Sequence, residues 1–324
     1  MNEPLWTPSD ERVGRSNMTA FRVYVNKLYE LELSDYHQLY QWSVENRTAF
    51  WSAIWDFVRV LSSKTWEDPV VDPQKMPGTR WFVGAEMNFA ENLLAYDDDR
   101  TALIFKGEQN PPATMTYAEL HADVARVAAA LRALGVVKGD RVAGFMPNMI
   151  ESVVAMLATA SIGALWSSTS PDFGIKGVLD RFGQIEPKVL FCANGYHYGG
   201  KTFDSLERVG GILEQLPSIQ QVVVVSYTEF APDISALPKA VHYGDFKGLG
   251  DAPELVFEQL PFDHPLYVMY SSGTTGVPKC IVHGAGGTLL QHCKELGLHT
   301  DITRDDVVFY FTTCGWMMWN WLVS

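Results

Sequence analysis

The chain has 324 residues, of which 47% are apolar and 19% charged, and its formal net charge is −13. This composition is typical of a globular protein with a large core and excludes the disordered class. The acidic charge argues against nucleic acid as a partner, because binding a phosphate backbone requires a basic surface.

Targeting signals are not expected in this sequence. The N-terminal stretch 1–15 lacks the apolar core of a signal peptide. The longest apolar run, 152–166, is too short to span a bilayer and predicts a buried helix, so no membrane partner is expected. The cysteines are scattered and lie mostly in apolar runs, which predicts a reducing, cytoplasmic location; they are Cys192, Cys280, Cys293 and Cys314. Cys280 and His283 are three residues apart in an extended run and would point to opposite faces, so these residues are not predicted to form a metal site.

The predicted elements begin with helices and continue as an alternation of strands and helices. Aromatic residues at helical spacing predict helices over 17–61, with Ser34 as an N-cap. A capping box, Thr116 to Glu119, predicts a helix that ends at Gly135. Strands are predicted at 101–105, 141–145, 188–193, 221–226 and 305–312. Helices are predicted at 150–163, 200–216 and 284–297, and a further helix is predicted to begin at Ser170-Pro171. This alternation predicts an α/β fold with mostly parallel, helix-flanked strands, and 227–265 is predicted to be an irregular connection.

The stretch 266–283 combines two apolar runs with a polar loop between them. The runs 266–270 and 280–283 predict strands. The loop is rich in small residues, which let backbone N–H groups converge on an anion, and it ends in a lysine. The loop residues are Ser271, Ser272, Gly273, Thr274, Thr275, Gly276, Val277, Pro278 and Lys279. Its spacing differs from GxxxxGK[ST], so it is not a Walker loop. The pattern favours a polyphosphate site; the alternative is a solvated glycine/serine turn.

This loop resembles the signature loop of the acyl-adenylate-forming superfamily, which includes acyl-CoA synthetases, luciferases and the adenylation domains of peptide synthetases. In that superfamily the loop binds the β- and γ-phosphates of ATP. The resemblance implies that ATP and Mg²⁺ are bound, that Ser271–Gly276 and Lys279 contact the phosphates, and that Thr274, Thr275 and Lys279 are catalytic.

The stretch 81–94 narrows the resemblance. Its sequence, WFVGAEMNFAENLL, follows an aromatic-rich helical region and is similar to a segment of the acetyl-CoA synthetase type. The resemblance implies a synthetase of short acids. It also implies a helical N-terminal segment, 1–95, followed by an incomplete large adenylate-forming domain, 96–324. The superfamily's later elements and C-terminal lid domain are expected to be absent, so the chain alone is expected to be inactive.

A diglycine segment is a second candidate anion site. Gly199, Gly200 and Lys201 follow a predicted strand and open a predicted helix, whose N-terminus could bind an anion. By resemblance this segment would contact coenzyme A phosphates. The alternative, a turn with a solvated lysine, is equally compatible with the sequence.

The run 311–321, FTTCGWMMWNW, predicts core packing from its composition alone. It is also similar to the aromatic segment that lines the acyl pocket in acetoacetyl-CoA synthetases, which implies that Trp316 forms a wall of that pocket. The activity implied is the ligation of acetoacetate to coenzyme A, with ATP converted to AMP and pyrophosphate. Two alternatives remain open: an acetyl- or propionyl-CoA synthetase, and a nucleotide- or coenzyme-binding module without catalysis.

Overall fold

A computed structural model describes residues 5–271 and 276–324. The helices are α1 (Asp10–Arg15), α2 (Asn17–Tyr29), α3 (Tyr36–Glu45), α4 (Arg47–Phe57), α5 (Phe89–Leu93), α6 (Tyr117–Ala133), α7 (Ile150–Ser161), α8 (Ile175–Ile185), α9 (Leu206–Leu213), α10 (Tyr243–Lys247), α11 (Ala285–Cys293) and α12 (Met317–Leu322). A π-helix, Lys294–His299, directly continues α11. The strands are β1 (Asp68–Val71), β2 (Arg80–Val83), β3 (Glu86–Met87), β4 (Thr101–Phe105), β5 (Ala113–Thr116), β6 (Arg141–Phe145), β7 (Leu165–Thr169), β8 (Val189–Ala193), β9 (Gly195–Tyr198), β10 (Lys201–Asp204), β11 (Gln221–Val225), β12 (Ala240–His242), β13 (Leu260–Pro261), β14 (Pro265–Ser271) and β15 (Lys279–Gly284).

A seven-stranded sheet in the order β12–β11–β8–β6–β7–β14–β15 forms the centre of the molecule. Six of its strands run parallel, and β15 pairs antiparallel with β14. Helices cover both faces, so successive residues of one strand enter different cores. Val222 and Val224 pack in the core that contains α8 and α9, whereas Val223 and Val225 pack in the core that contains α6 and α7. The predicted α/β fold with mostly parallel strands is confirmed.

The central strands consist of apolar residues because both of their faces are buried. All five residues of β8 are buried, as are the last four of β11. Burying one such valine or leucine side chain stabilises the fold by about 1.5–3 kcal/mol. The apolar run 152–166 is also buried, but it divides between α7 and the start of β7 instead of forming one helix. Within the described residues, no helix combines the length and the apolar character needed to cross a membrane.

Aromatic contacts attach the N-terminal helices to the sheet domain. The fully buried Phe21 meets the rings of Phe50 and Phe57 edge-on, with centroid distances of 5.8 and 5.2 Å. A second set of contacts joins Trp55, Phe82 and Phe262, and Phe262 lies just before β14. The Phe262 ring packs so close to Gly286 that a Cβ there would lie 2.1 Å from it. The aromatic-rich N-terminus therefore helps to fix the strand that leads into the loop.

Asn88 connects three parts of the chain through five hydrogen bonds. Its buried amide nitrogen donates to the carbonyl oxygens of Ala160, Ser161 and Glu258 at 2.8–3.1 Å. Its oxygen accepts from the backbone N–H groups of Ala90 and Glu91 and so caps α5. This one side chain holds the end of α7 and the long connection before β13 against the N-terminal segment.

Several predicted boundaries are wrong. The N-cap of α3 is Asp35 and not Ser34, because the Asp35 carboxylate accepts the Gln38 N–H. The helix predicted from Ser170-Pro171 begins at Ile175, after Gly174.

Two predicted elements have a different structure. The predicted helix 200–216 contains strand β10 and only a short helix, α9. The predicted strand 305–312 pairs with no other strand among residues 5–271 and 276–324. Its side chains Val307, Phe309 and Phe311 are 80–86% exposed, so its apolar alternation does not correspond to a buried face.

Candidate phosphate-binding site

The predicted loop is carried by two paired strands at one edge of the sheet. In the antiparallel pair of β14 and β15, Ser271 lies opposite Lys279 and Tyr270 opposite Cys280. The two strands predicted on either side of the loop are therefore confirmed. Ser272, Gly273, Thr274 and Thr275 lie outside the described residues. Gly276 has φ +124°, a backbone conformation that favours glycine, so the return from the loop depends on this residue.

Gln184 of α8 holds the returning arm of the loop. Its amide nitrogen donates to the Pro278 carbonyl at 2.8 Å and to the Asp180 carbonyl at 2.6 Å. The second bond lies within α8 and fixes the side chain, and the first reaches across 94 positions in sequence to the residue before Lys279. Sequence patterns gave no indication of this contact, because Gln184 lies on the exposed side of an otherwise ordinary amphipathic helix.

Two cationic side chains lie beside this edge in an otherwise acidic protein. Lys279 is exposed, and no ion pair within the described residues involves it. The Arg181 guanidinium lies 4.6 Å from the centre of the Phe173 ring and 5.7 Å from that of Tyr270. Burial lowers the pKa of Arg181, but a guanidinium keeps its proton at neutral pH. The sheet edge therefore carries positive charge, as an anion site requires.

Tyr270 supplies a neutral polar group at the same edge. Burial raises the pKa of its phenol, so the group stays protonated at physiological pH. Its hydroxyl shares a hydrogen bond of 3.0 Å with Ser167 Oγ, which itself donates to the Val268 carbonyl at 2.7 Å. These bonds tie β7 to β14 just before the loop, which limits how far Ser271 can move.

The aromatic run near the end of the described chain packs beside β7 and β14. Ser168 Oγ donates to the Cys314 carbonyl at 2.7 Å. A cavity of about 10 Å³, enough for one water molecule, is lined by Trp166, Ser167, Ser168, Val268, Met269, Tyr270, Cys314, Gly315, Trp316 and Asn320. The structure therefore brings Trp316 and the strand that enters the loop to one place, near the carboxyl ends of parallel strands. Ligands of open α/β sheets bind outside these ends.

The run 311–321 divides between core packing and this cavity. Trp319 is fully buried, and its indole N–H donates to Asn148 Oδ1 at 3.0 Å. Trp316 is 68% exposed and forms part of the cavity wall. Core packing, the interpretation from composition, therefore describes Trp319 and Cys314, whereas Trp316 is available to a ligand.

A family model described as "AMP-binding enzyme" matches residues 89–323, which include the whole sheet and the loop. The chain belongs to the AMP-binding enzyme family. A second family model, described as "Acetyl-coenzyme A synthetase N-terminus", matches residues 36–93.

Similar members of the AMP-binding enzyme family carry a more specific name. The chain is 48% identical over 330 residues to the acetoacetyl-CoA synthetase of Danio rerio, covering 99% of this chain and 49% of that protein. It is 49% identical over 325 residues to the acetoacetyl-coenzyme A synthetase of Rhizobium meliloti (strain 1021), again covering 99% of this chain and 49% of that protein. A solved structure of acetoacetyl-CoA synthetase from Streptomyces lividans superposes with a TM-score of 0.93 at 42% identity, covering 99% of this chain and 49% of that one. The chain thus spans about half the length of the curated relatives it matches.

The diglycine segment of this AMP-binding enzyme differs from its prediction. Gly199 and Gly200, with φ of +59° and +76°, form the turn between β9 and β10, so Lys201 begins a strand and not a helix. The prediction of a helix start is wrong, because the Tyr196–Tyr198 and Lys201–Phe203 segments pair as a hairpin. The two glycine N–H groups nevertheless bind an anion. They donate to the Glu108 carboxylate at 3.0 and 2.9 Å, and these bonds lower the pKa of Glu108.

Proposed function

We propose that this protein ligates acetoacetate to coenzyme A through an acetoacetyl-adenylate, with ATP converted to AMP and pyrophosphate. The observation that carries the proposal is the β14–β15 hairpin. It places Ser271 opposite Lys279 at the base of the loop, and Tyr270, the residue before Ser271, lines the same cavity as Trp316, in a chain related to acetoacetyl-CoA synthetases. A solvated turn would need neither the cation nor the bond from Gln184 that fixes its returning arm.

The reaction solves a leaving-group problem. A thiol cannot displace oxide from a carboxylate. In the first step a carboxylate oxygen attacks the α-phosphorus of ATP, the bond to the bridging oxygen breaks, and pyrophosphate leaves. In the second step the sulfur of coenzyme A attacks the acyl carbon, the thiol proton is lost, and AMP leaves with the electron pair of the acyl–oxygen bond.

The chain's contribution to the first step is electrostatic. Negative charge grows on the departing pyrophosphate, and donors fixed in advance stabilise it without reorganisation. We assign this role to Thr274, Thr275 and Lys279, with further contacts from Ser271, Ser272, Gly273 and Gly276. The hydroxyl oxygens of these residues are also hard ligands, the type that Mg²⁺ prefers. When bound, the ion would neutralise part of the polyphosphate charge, since it is usually held through substrate phosphates and one or two protein oxygens.

The acid is proposed from the wall of the small cavity and from the relatives. Trp316 would form one side of the acyl pocket. A further relative, 42% identical, is a malonamoyl-CoA synthetase of Penicillium aethiopicum. Acetoacetate and malonamate share a carbonyl group two bonds from the carboxylate carbon. A short acid with a carbonyl group at this position therefore agrees better with the names of these relatives than acetate or propionate does.

The remaining assignments concern the organisation of the chain and coenzyme A. We propose that 1–95 is a helical segment like that of acetyl-CoA synthetases and that 96–324 is part of the adenylate-forming domain. Gly199, Gly200 and Lys201 remain our candidates for coenzyme A phosphate contacts. Both glycine N–H groups donate to the Glu108 carboxylate, so a coenzyme A phosphate would take the place of this carboxylate.

Exchange of pyrophosphate into ATP, measured on the complete protein, tests the proposal. We expect exchange with acetoacetate to exceed that with acetate or propionate. Lys279→Ala should reduce exchange by about 10²–10³-fold, the usual loss when one such donor is removed. Lys27→Ala, at an exposed lysine of α2, is the matched control and should leave exchange unchanged. Equal rates for Lys279→Ala and the unsubstituted protein would overturn the role of this lysine. Calorimetric binding of ATP without any exchange would favour a binding module.

A further inference from the structure

A larger cavity lies between the N-terminal helices and the π-helix. Its volume is about 190 Å³, and it shares no lining residue with the cavity beside Trp316. Its wall is mostly apolar and includes Phe21, Leu39, Phe50, Trp51 and Leu298. Phe21, Leu39 and Leu298 are at most 5% exposed, so the inner wall belongs to the core. An engineered apolar cavity of 150 Å³ holds a benzene molecule, so this one has room for about six carbon atoms.

Tyr36, Tyr40 and Ser43 of α3 contribute hydroxyl groups to the wall, and the π-helix contributes its two nitrogen-bearing side chains, Lys294 and His299. Lys294 Nζ donates to Glu295 Oε1 at 2.8 Å and lies 3.3 Å from His299 Nε2. Because an ammonium group can only donate, Nε2 acts as the acceptor, and the second ring nitrogen of a neutral His299 carries the proton. Burial, and then Lys294, lower the pKa of His299, which keeps the ring neutral at physiological pH. Among the described residues, no hydrogen bond involves His299 Nδ1. The apolar cavity therefore has an ammonium group and a neutral N–H donor in its wall.

The form of this wall is itself unusual. π-Helices are rare and frequently occur at functional sites. Here the segment Lys294–His299 directly continues α11, which follows β15 without a break. The chain after it is fixed to α2, because Asp301 Oδ1 accepts the Asn17 N–H at 2.7 Å. The π-helix turn is thus held from both ends in the position that places Lys294, Leu298 and His299 in one wall.

We propose that this cavity binds a monocarboxylate of about six carbon atoms in all, at a site separate from the phosphate loop. The tail would lie against Phe21, Leu39 and Trp51, and the carboxylate would accept a hydrogen bond from Lys294 Nζ. Glu295 keeps its bond to Lys294, so the ligand shares the ammonium group and does not replace the glutamate. The proposal does not depend on the reaction proposed above.

Titration calorimetry of the complete protein with hexanoate, without ATP or coenzyme A, tests this site. We expect saturable binding of hexanoate and at least tenfold weaker binding of acetate, which lacks the tail. Lys294→Met keeps an apolar stem and removes the charge, so hexanoate should bind about tenfold more weakly while hexanol binds as before. Lys27→Met, at the exposed lysine of α2, is the matched control and should change neither.

Two tryptophan substitutions that fill the cavity distinguish hexanoate binding at this site from binding elsewhere on the protein. Leu39→Trp fills it from the core side, and Ser43→Trp fills it from the partly exposed lining position on α3, where folding is less at risk. Hexanoate binding should be lost in both variants and retained in Trp316→Ala. Binding that survives both tryptophan variants, that disappears in Trp316→Ala, or that is no tighter than acetate binding would overturn the proposal. A titration without saturable heat would also overturn the proposal. This result is expected if another polypeptide segment or a second copy of the chain covers the cavity.

Discussion

The bond from Gln184 to the Pro278 carbonyl provides a test of how the loop is held. Gln184→Met retains the length of the side chain and removes both of its hydrogen bonds. The bond to Asp180 lies within α8 and does not reach the loop, so only the 2.8 Å bond to Pro278 concerns the site. A hydrogen bond of this kind contributes about 0.5–1.5 kcal/mol net. Gln184 is exposed, so water can partly replace its hydrogen bond to Pro278 in the methionine variant. We therefore expect the conformation in which the returning arm binds ATP to be destabilised by about 1 kcal/mol.

This loss should weaken the binding of ATP in its ground state and transition state alike. A difference of 1.4 kcal/mol corresponds to about tenfold, so KM for ATP should rise roughly three- to tenfold with kcat nearly unchanged. The assay is acetoacetate-dependent ATP–pyrophosphate exchange of the complete protein over a range of ATP concentrations.

Gln215→Met is a matched control for this measurement. Gln215 is also exposed near a helix end, and within the described part of the chain its side chain donates only to the carbonyl of Gly211, four residues earlier. Its KM for ATP should remain that of the unsubstituted protein. Equal KM values for the two methionine variants would refute the role assigned to Gln184. A fall in kcat alone would show that the residue acts on the chemical step and not on binding.

Two further predictions concern stability. Asn88→Ala removes five hydrogen bonds: three from the amide to carbonyl groups, of which those of Ala160 and Ser161 keep a backbone donor, and two that cap α5. The substitution should lower the free energy of unfolding by about 3 kcal/mol in urea denaturation. A loss below about 1 kcal/mol would contradict the role of this side chain as a structural connection. Burial, and then the charge of His283, lower the pKa of His292 to about 4 from an ordinary 6.5, so the folded state binds fewer protons than the unfolded state between these values. Stability should therefore fall as the pH falls from 6.5 to 4, by about 3 kcal/mol, and His292→Gln should remove most of this slope; an unchanged slope would assign it to other groups.

The elements that the sequence predicted correctly have local causes. β8 and β11 are short, wholly apolar runs, as expected for strands covered on both faces. The helix α6 begins at a capping box, in which Thr116 and Glu119 satisfy each other's backbone N–H groups. Each of these signals lies within a few residues of the structure that it determines.

The errors arise where a distant partner decides the structure. The Gly199-Gly200 pair is compatible with a helix start or with a hairpin turn. The hairpin has an additional partner in Glu108, whose carboxylate lies 91 positions earlier in the sequence. The segment 305–312 has the alternation of a strand, but a strand also requires a neighbour that accepts and donates its backbone hydrogen bonds. Periodicity reports only the chain's own preference and cannot show whether such a partner is present.

The aromatic run near the end of the described chain shows how one segment supplies both core and site. Composition assigns Trp316 and Trp319 the same tendency to be buried. In the structure α12 begins at Met317, so Trp316 is an extended residue before the helix, and Trp319 lies inside the first turn. The helix directs Trp319 into the core against Asn148, and the extended backbone leaves Trp316 exposed beside Ser168 and Met269. The buried tryptophan fixes the position of the helix, and this position determines where the exposed one meets the small cavity. A substitution at Trp319 should therefore disturb the site through Trp316 even though Trp319 does not line the cavity.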